Sequence, residues 1–362
     1  MATLRYFDED WDEIRDLYTC WWTGRKPHRP ILAVLAPRET PIPCPPAPPP
    51  PDDPRDAWLD YVGSARRFEA HIATQFHGGC AVPYITPSLG PGALNLYLGS
   101  RPIFAPQTVW YSPAYSDPAT ATLSFDPQNE YWQWTLRATD YFLEEGRGKY
   151  LTGLPDLIEG LDILSELLGT EELLTYLLDC PQEIHRLLSQ LDSIYWEAFD
   201  PLYEKVRDDR GGNLFIAFQI WGPGRTLKSQ CDFAAMISPA MFEEFVCPYL
   251  ERQCARADYS VFHFDGPRCI AHLDLLLKVP SLAAVQWTPG YPNPAASDPV
   301  WWDVIWEKVF AAGKSALVLG TPLRDVEPFL KRFGWERTFL GVGAPSEAEA
   351  RRLLRESRHW GR

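Results

Sequence analysis

Short apolar runs alternate with longer stretches of mixed apolar and polar residues through most of this chain, and that alternation sets its predicted architecture. An N-terminal helical extension covers residues 1–28, with its helix from Trp11 to Trp22, and the run Ile31-Leu32-Ala33-Val34-Leu35 predicts a buried strand. A helix from Trp58 to Phe76 and a strand from Cys80 to Ile85 follow. Thr108–Tyr111 and Tyr150–Gly153 read as strands, and Gly160–Leu178 and Pro181–Val206 as helical zones. The second half is more regular. Strands are expected at Leu214–Ile220, Ser260–Phe264, Ala283–Trp287, Ala316–Leu319 and Thr338–Val342, each followed by helix.

Strand and helix in strict succession are the mark of parallel βαβ units. Roughly eight such strands fit an α/β fold of the TIM type, a (β/α)8 barrel, over residues 1–362 as one domain. A doubly wound open sheet is the alternative, weakened because no G-x-G-x-x-G follows a strand. The pattern breaks at residues 39–57, where a proline run from Pro41 to Pro54 excludes helix and inner strand. This extended loop either borders a site or is a passive excursion.

Composition narrows the function. A net charge of −14 argues against a nucleic-acid groove or an anionic membrane surface. No apolar run reaches the length of a membrane span, and the N-terminus lacks an apolar signal core, so the expected location is cytoplasmic. Eight cysteines without a C-x-x-C pair suit reduced thiols better than disulfides or a structural zinc site. Trp21-Trp22, Tyr131-Trp132-Gln133-Trp134 and Trp301-Trp302 suit the lining of a cleft or an oligomer contact such as a homodimer.

Candidate chemistry concentrates where predicted strands end. His263 and Asp265 lie two apart on a strand that stops at Gly266-Pro267, so both project to one side. The other strand ends carry Arg38, Tyr84, Trp110, Asp156, Glu159, Gln219, Trp221, Gln286, Trp287, Thr321 and Arg324. In a barrel these would face one pocket suited to a small polar ligand with apolar surface. His263, Asp265 and Glu159 are the candidate catalytic groups, and Arg38, Tyr84, Trp110, Asp156, Gln219, Trp221, Gln286 and Trp287 the candidate substrate contacts. Three chemistries are open. His263 can serve as acid or base tuned by Asp265; His263 and Asp265 can bind a divalent metal, with Cys231 as a third ligand; or the acids can hold a substrate's cationic or N–H groups. Arg225 and Lys228 beside Gly222-Pro223-Gly224 suit a carboxylate or phosphate, or solvation alone.

Several segments resemble the uroporphyrinogen decarboxylase superfamily, in its divergent branch similar to corrinoid-dependent methyltransferases. They are Val82-Pro83-Tyr84 with Gly90-Pro91-Gly92, Leu151 to Asp156 through Leu168-Gly169, and Gln230-Cys231-Asp232-Phe233 with Ile237 to Phe242. His263-Phe264-Asp265-Gly266-Pro267 through Gln286-Trp287 completes the likeness, which spans about residues 75–355. It implies a barrel with its site at the C-terminal strand ends, a small organic substrate, zinc or another divalent metal, and a corrinoid carried by a partner protein. Two departures stand out. The decarboxylases' arginine-rich motif is represented by Arg38 alone, and Asp265 stands where the methyltransferases' His-x-Cys pair has its thiol. Gly341-Val342-Gly343 offers no later cysteine. Methyl transfer (demethylation toward a corrinoid protein or thiol) is the favoured expectation. A metal-independent decarboxylase or lyase using Arg38 or Arg225, and a non-catalytic ligand-binding barrel, are the alternatives.

Overall fold

A computed structural model describes residues 4–215, 218 and 220–360. Its strands are β1 (Ile31–Pro37), β2 (Gln75–Gly79), β3 (Tyr84–Ile85), β4 (Arg101–Phe104), β5 (Val109–Ser112), β6 (Leu151–Thr152) and β7 (Asn213–Phe215). They continue with β8 (Ile220–Gly222), β9 (Thr226–Gln230), β10 (Tyr259–Asp265), β11 (Ala284–Thr288), β12 (Ser315–Thr321) and β13 (Thr338–Gly343). The α-helices are α1 (Trp11–Thr23), α2 (Pro54–Leu59), α3 (Tyr61–Ala73), α4 (Leu94–Tyr97), α5 (Glu130–Glu145), α6 (Gly160–Leu168) and α7 (Thr170–Asp179). After these come α8 (Pro181–Val206), α9 (Pro239–Phe245), α10 (Cys247–Arg256), α11 (Leu273–Leu276), α12 (Glu307–Ala311), α13 (Leu323–Phe333) and α14 (Glu347–Glu356).

Seven strands form one hydrogen-bonded sheet in the order β2-β1-β13-β12-β11-β10-β9. All its pairings are parallel except β1 with β2. Among the described residues no ladder joins β9 back to β2. Smaller pieces stand beside its open ends: β3 pairs with β6 in parallel, and Leu154 bridges Phe215. Asn213 then imitates a ladder toward β9, its amide donating to Thr226 O at 2.9 Å while its Oδ1 accepts the Thr226 N–H at 3.0 Å.

Side-chain caps start several of the helices. The Asp10 carboxylate accepts the Asp12 N–H at 2.9 Å to start α1, and Gly24, at φ 67°, ends it. The buried face of α1 carries Trp11, Ile14, Tyr18 and Trp21 beneath the N-terminal ends of the strands. There Trp21 Nε1 donates to Ala316 O at 3.1 Å and Trp22 Nε1 to Trp221 O at 3.0 Å. No helix among the described residues is long and apolar enough to cross a membrane.

Three local expectations differ from the structure. The helix expected over Trp58–Phe76 is interrupted at Asp60, whose side chain accepts the Gly63 N–H at 2.8 Å and starts α3. Of the strand expected over Cys80–Ile85 only Tyr84 and Ile85 are strand, as β3; β2 ends before it at Gly79, and Pro83 has no N–H for a ladder. The strand expected over Leu214–Ile220 is a hairpin, β7 with β8, and the parallel strand of the main sheet is β9.

Candidate functional site

Strand register assembles the site. Gln230 of β9, His263 of β10 and Gln286 of β11 are cross-strand neighbours, and Asp265 faces Thr288 one step further on. Alternation places Lys228, Gln230, His263, Asp265, Gln286 and Thr288 on one face, near the C-terminal strand ends. Phe262, Phe264 and Trp287 take the opposite face, toward the helices.

A chain of hydrogen bonds fixes the imidazole. Gln286 Nε2 donates to Thr288 Oγ1 at 2.8 Å, which turns Gln286 Oε1 toward His263 Nδ1. That oxygen accepts only, so Nδ1 carries the ring proton and Nε2 keeps its lone pair. Burial lowers the His263 pKa, with Lys228 adding to the effect and the Gln286 hydrogen bond opposing it. His263 is therefore a neutral base or ligand at neutral pH.

The acids arrive from the loop after β6. Asp156 Oδ1 lies 2.6 Å from Lys228 Nζ, with both side chains almost wholly buried. Gln230 takes four contacts: its Oε1 accepts from Lys228 Nζ, its N–H donates to Glu159 Oε1 at 3.1 Å, and its Nε2 donates to Asp162 Oδ2 at 2.9 Å and to Asp232 Oδ2 at 3.2 Å. The Asp162 carboxylate also accepts the N–H groups of Asp232 and Phe233, at 3.0 and 2.9 Å, which pins the loop after β9. Backbone strain marks the entry of this loop. Ile158 has φ 53°, a left-handed conformation costly for a β-branched residue, and Gly160 follows at φ 61°. Together they turn Glu159 inward, where its Oε2 has no hydrogen-bond partner among the described residues.

Asp232, His263 and Asp265 bring one donor atom each to within 4.8 Å of one another. Desolvation, followed by the charges of Asp162 and Asp265, pushes Asp232 up to about 7. Its side chain also meets solvent on one side. Burial pushes Glu159 up to about 8, with Lys228 and the Gln230 N–H pulling the other way. Beside these groups opens a cleft of about 270 Å³ whose wall includes Asp162, Gln230, Asp232, Ile158 and Met236.

The Glu159 shift has a consequence for stability. Its ordinary value is 4.5 and its folded value about 8, so between them the native state holds a proton that the unfolded chain has released. On this group's account stability falls as pH rises through that window. Glu159→Gln should flatten that part of the slope in urea titrations across it; an unchanged slope would contradict the assignment.

Of the residues singled out in the sequence, His263, Asp265, Asp156, Glu159 and Gln286 meet at these strand ends. Arg38 does not join them: its Nε donates to Gln75 O at 3.2 Å and its guanidinium pairs with Asp8 at 3.4 Å, because antiparallel β2 sets Gln75 beside β1. Trp110 is 60% exposed on the β4–β5 hairpin. Trp221 is carried by the β7–β8 reversal to the N-terminal end, where its Nε1 donates to Asp208 at 3.0 Å and its ring packs on Trp11. Trp287, adjacent to Gln286, must point the other way and packs on Phe264 and Trp301. Tyr84 sits in β3 opposite Leu151, outside the cluster, and Gln219 lies outside the described residues. Thr321 is buried at the end of β12, with its hydroxyl on Val318 O, and Arg324 is exposed beside Asp325. Arg225 pairs with Asp200 at 3.2 Å.

Cys231 is buried and outside the donor cluster; the third donor is its neighbour Asp232. Sequence reasoning missed Asp162, Gln230 and Asp232 as site residues. The Gln230-Cys231-Asp232 segment carries the signal, in its carboxylate and not in its thiol.

No model of a known protein family matches this chain, and no curated protein matches it in sequence. Its structure is similar to that of a methyltransferase from Methanosarcina mazei, with a TM-score of 0.59 over 96% of this chain and 98% of that one. The two are 12% identical in sequence. At that distance the likeness establishes a shared α/β fold with a mostly parallel central sheet.

Proposed function

We propose that the protein is a methyl-transfer enzyme on a uroporphyrinogen decarboxylase-like (β/α)8 barrel, demethylating a small organic substrate in the cleft beside Gln230 and Asp232. The acceptor in this reading is a corrinoid carried by a partner protein, or a thiol. One observation carries it: three donor groups converge at the C-terminal strand ends of a fold shared with a methyltransferase. The β3–β6 pair, the Leu154–Phe215 bridge and the Asn213–Thr226 contacts are, in the same reading, the remaining arc of the barrel.

Two carboxylates and an imidazole suit a divalent ion that accepts oxygen and nitrogen ligands. They do not suit a thiolate-rich zinc set, since the donors beside His263 are carboxylates and not thiolates. Asp232, His263 Nε2 and Asp265 would hold the ion, which would supply Lewis acidity to lower the pKa of a bound thiol or hydroxyl. The chain's own groups do the rest. Gln286 keeps the His263 lone pair aimed inward, Lys228 balances Asp156, and Glu159, protonated near neutrality, adds no charge to the cluster.

The decarboxylase alternative needs an arginine for the substrate carboxylate. Arg38 and Arg225 are both paired with aspartates, so that reading has less support. The test is metal analysis of purified protein, joined to methyl-transfer assays with methylated donors and either a reduced corrinoid or a thiol acceptor. A stoichiometric divalent ion and methylated acceptor are expected. Absence of both under every acceptor would leave the ligand-binding barrel.

A further inference from the structure

A second cleft lies between the proline-rich loop, helices α2, α3 and α5, and the segment leaving β3. It holds about 410 Å³, within the range that accommodates small organic ligands. Its wall is aromatic, with Trp58, Tyr61, Phe68, Trp134 and Phe142 around it and Pro50 closing one side. The indole N–H groups are already engaged: Trp58 donates to Ala105 O at 2.8 Å and Trp134 to Leu59 O at 2.9 Å. These bonds fix the rings and leave their faces for stacking. Tyr61 packs edge-on against Trp134 at 6.0 Å, which holds it in turn.

Among the described residues, Arg67 is the one charged side chain on this wall. Asp60, at 3.1 Å, and Ser64, at 3.4 Å, orient its guanidinium without using all five of its N–H donors. A cationic ligand would meet Arg67, while an acceptor group would be drawn to it. The proline-rich loop is tied down on both sides of Pro50, by the Ile42 N–H on Ala73 O at 2.9 Å and by Asp53 capping α2 through the Arg55 N–H at 2.8 Å. It therefore acts as a fixed wall, which accounts for a long extended loop held against the domain. The cleft is connected to the acid cluster through the chain. Ile85 to Ser88 border it, and the same segment runs on to Ala93, whose N–H donates to Asp156 O at 2.9 Å.

We propose that this cleft binds a flat, conjugated small molecule of about two fused rings carrying a carboxylate or similar acceptor. The rings stack on Trp58 and Tyr61, and the acceptor lies on Arg67. The proposal is independent of the methyl-transfer reading. Calorimetry on metal-free protein with naphthoate as the probe tests it, with the saturated decalin carboxylate and naphthyl-trimethylammonium as comparisons. Naphthoate is expected to bind saturably and at least about tenfold more tightly than either, a gap of about 1.4 kcal/mol. Trp58→Leu and Tyr61→Leu, each with a retained circular dichroism spectrum, are expected to weaken it about tenfold, and Arg67→Gln to weaken naphthoate but not naphthalene methanol. Equal binding of the saturated acid, tighter binding of the cation, no saturable binding, or indifference to all three substitutions would overturn it. His263→Ala should leave naphthoate binding intact, so failure of the methyl-transfer reading and failure of this site are separately visible.

Discussion

Replacing His263 with alanine is expected to abolish measurable turnover while the protein stays folded. The ring is half-buried at the end of β10, and its one hydrogen bond among the described residues is to Gln286, which keeps Thr288 as a partner after the change. The structural cost is therefore small, and the loss falls on chemistry. As a base alone His263 would contribute about 10²- to 10⁴-fold; as a metal ligand its removal would also deplete the ion. Gln286→Leu separates the ring's position from its presence. It frees the tautomer and orientation of His263, and a loss of about 10- to 100-fold is expected, as for other groups that orient a ligand. Rates, metal content and thermal melts on the same preparations decide the matter. A His263→Ala protein that turns over normally would remove the histidine from the mechanism.

The site was partly readable in the sequence, for a physical reason. Strands β10 to β13 are apolar runs with a helix after each, and His263 and Asp265 interrupt one of those runs where a buried strand meets a Gly-Pro turn. Polar groups in such a place are expensive unless used, so they stand out. Strand β9 shows the converse. Thr226-Leu227-Lys228-Ser229-Gln230 is wholly buried yet mostly polar, because Asp156, Asn213 and Glu159 pair with Lys228, Thr226 and Gln230 from elsewhere in the chain. Those partners lie between 13 and 72 positions away, so no local pattern announces the strand.

The misplaced tryptophans have different causes. Trp287 follows directly from alternation, since the face that presents Gln286 hides its neighbour. Trp221 depends on the β7–β8 reversal, which reads in sequence as one continuous strand. Arg38 sits at the correct strand end, but the antiparallel neighbour β2 and Asp8 draw it aside. In each case the residue type was suggestive and the direction of the side chain was set by a tertiary contact.

The largest expected loss of stability comes from Lys228→Met. The ammonium is buried to within 5% of full exclusion and bonds both Asp156 and Gln230, and the acids nearby include Glu159 and Asp162. Removing it leaves Asp156 as an uncompensated buried carboxylate, a change that costs about 3–5 kcal/mol. The sign of the pH dependence checks the cause. The variant is expected to regain stability as pH falls, because acid neutralises buried carboxylates that lack a counter-charge. The double replacement Lys228→Met with Asp156→Asn removes both charges and should recover most of the loss, because a neutral pair leaves no buried ion to solvate. Urea unfolding of the two variants across the acid range measures both effects. A single-variant cost under about 1 kcal/mol, the size of an exposed pair, would mean that water reaches Asp156 and that the cluster is open to solvent on the Lys228 side.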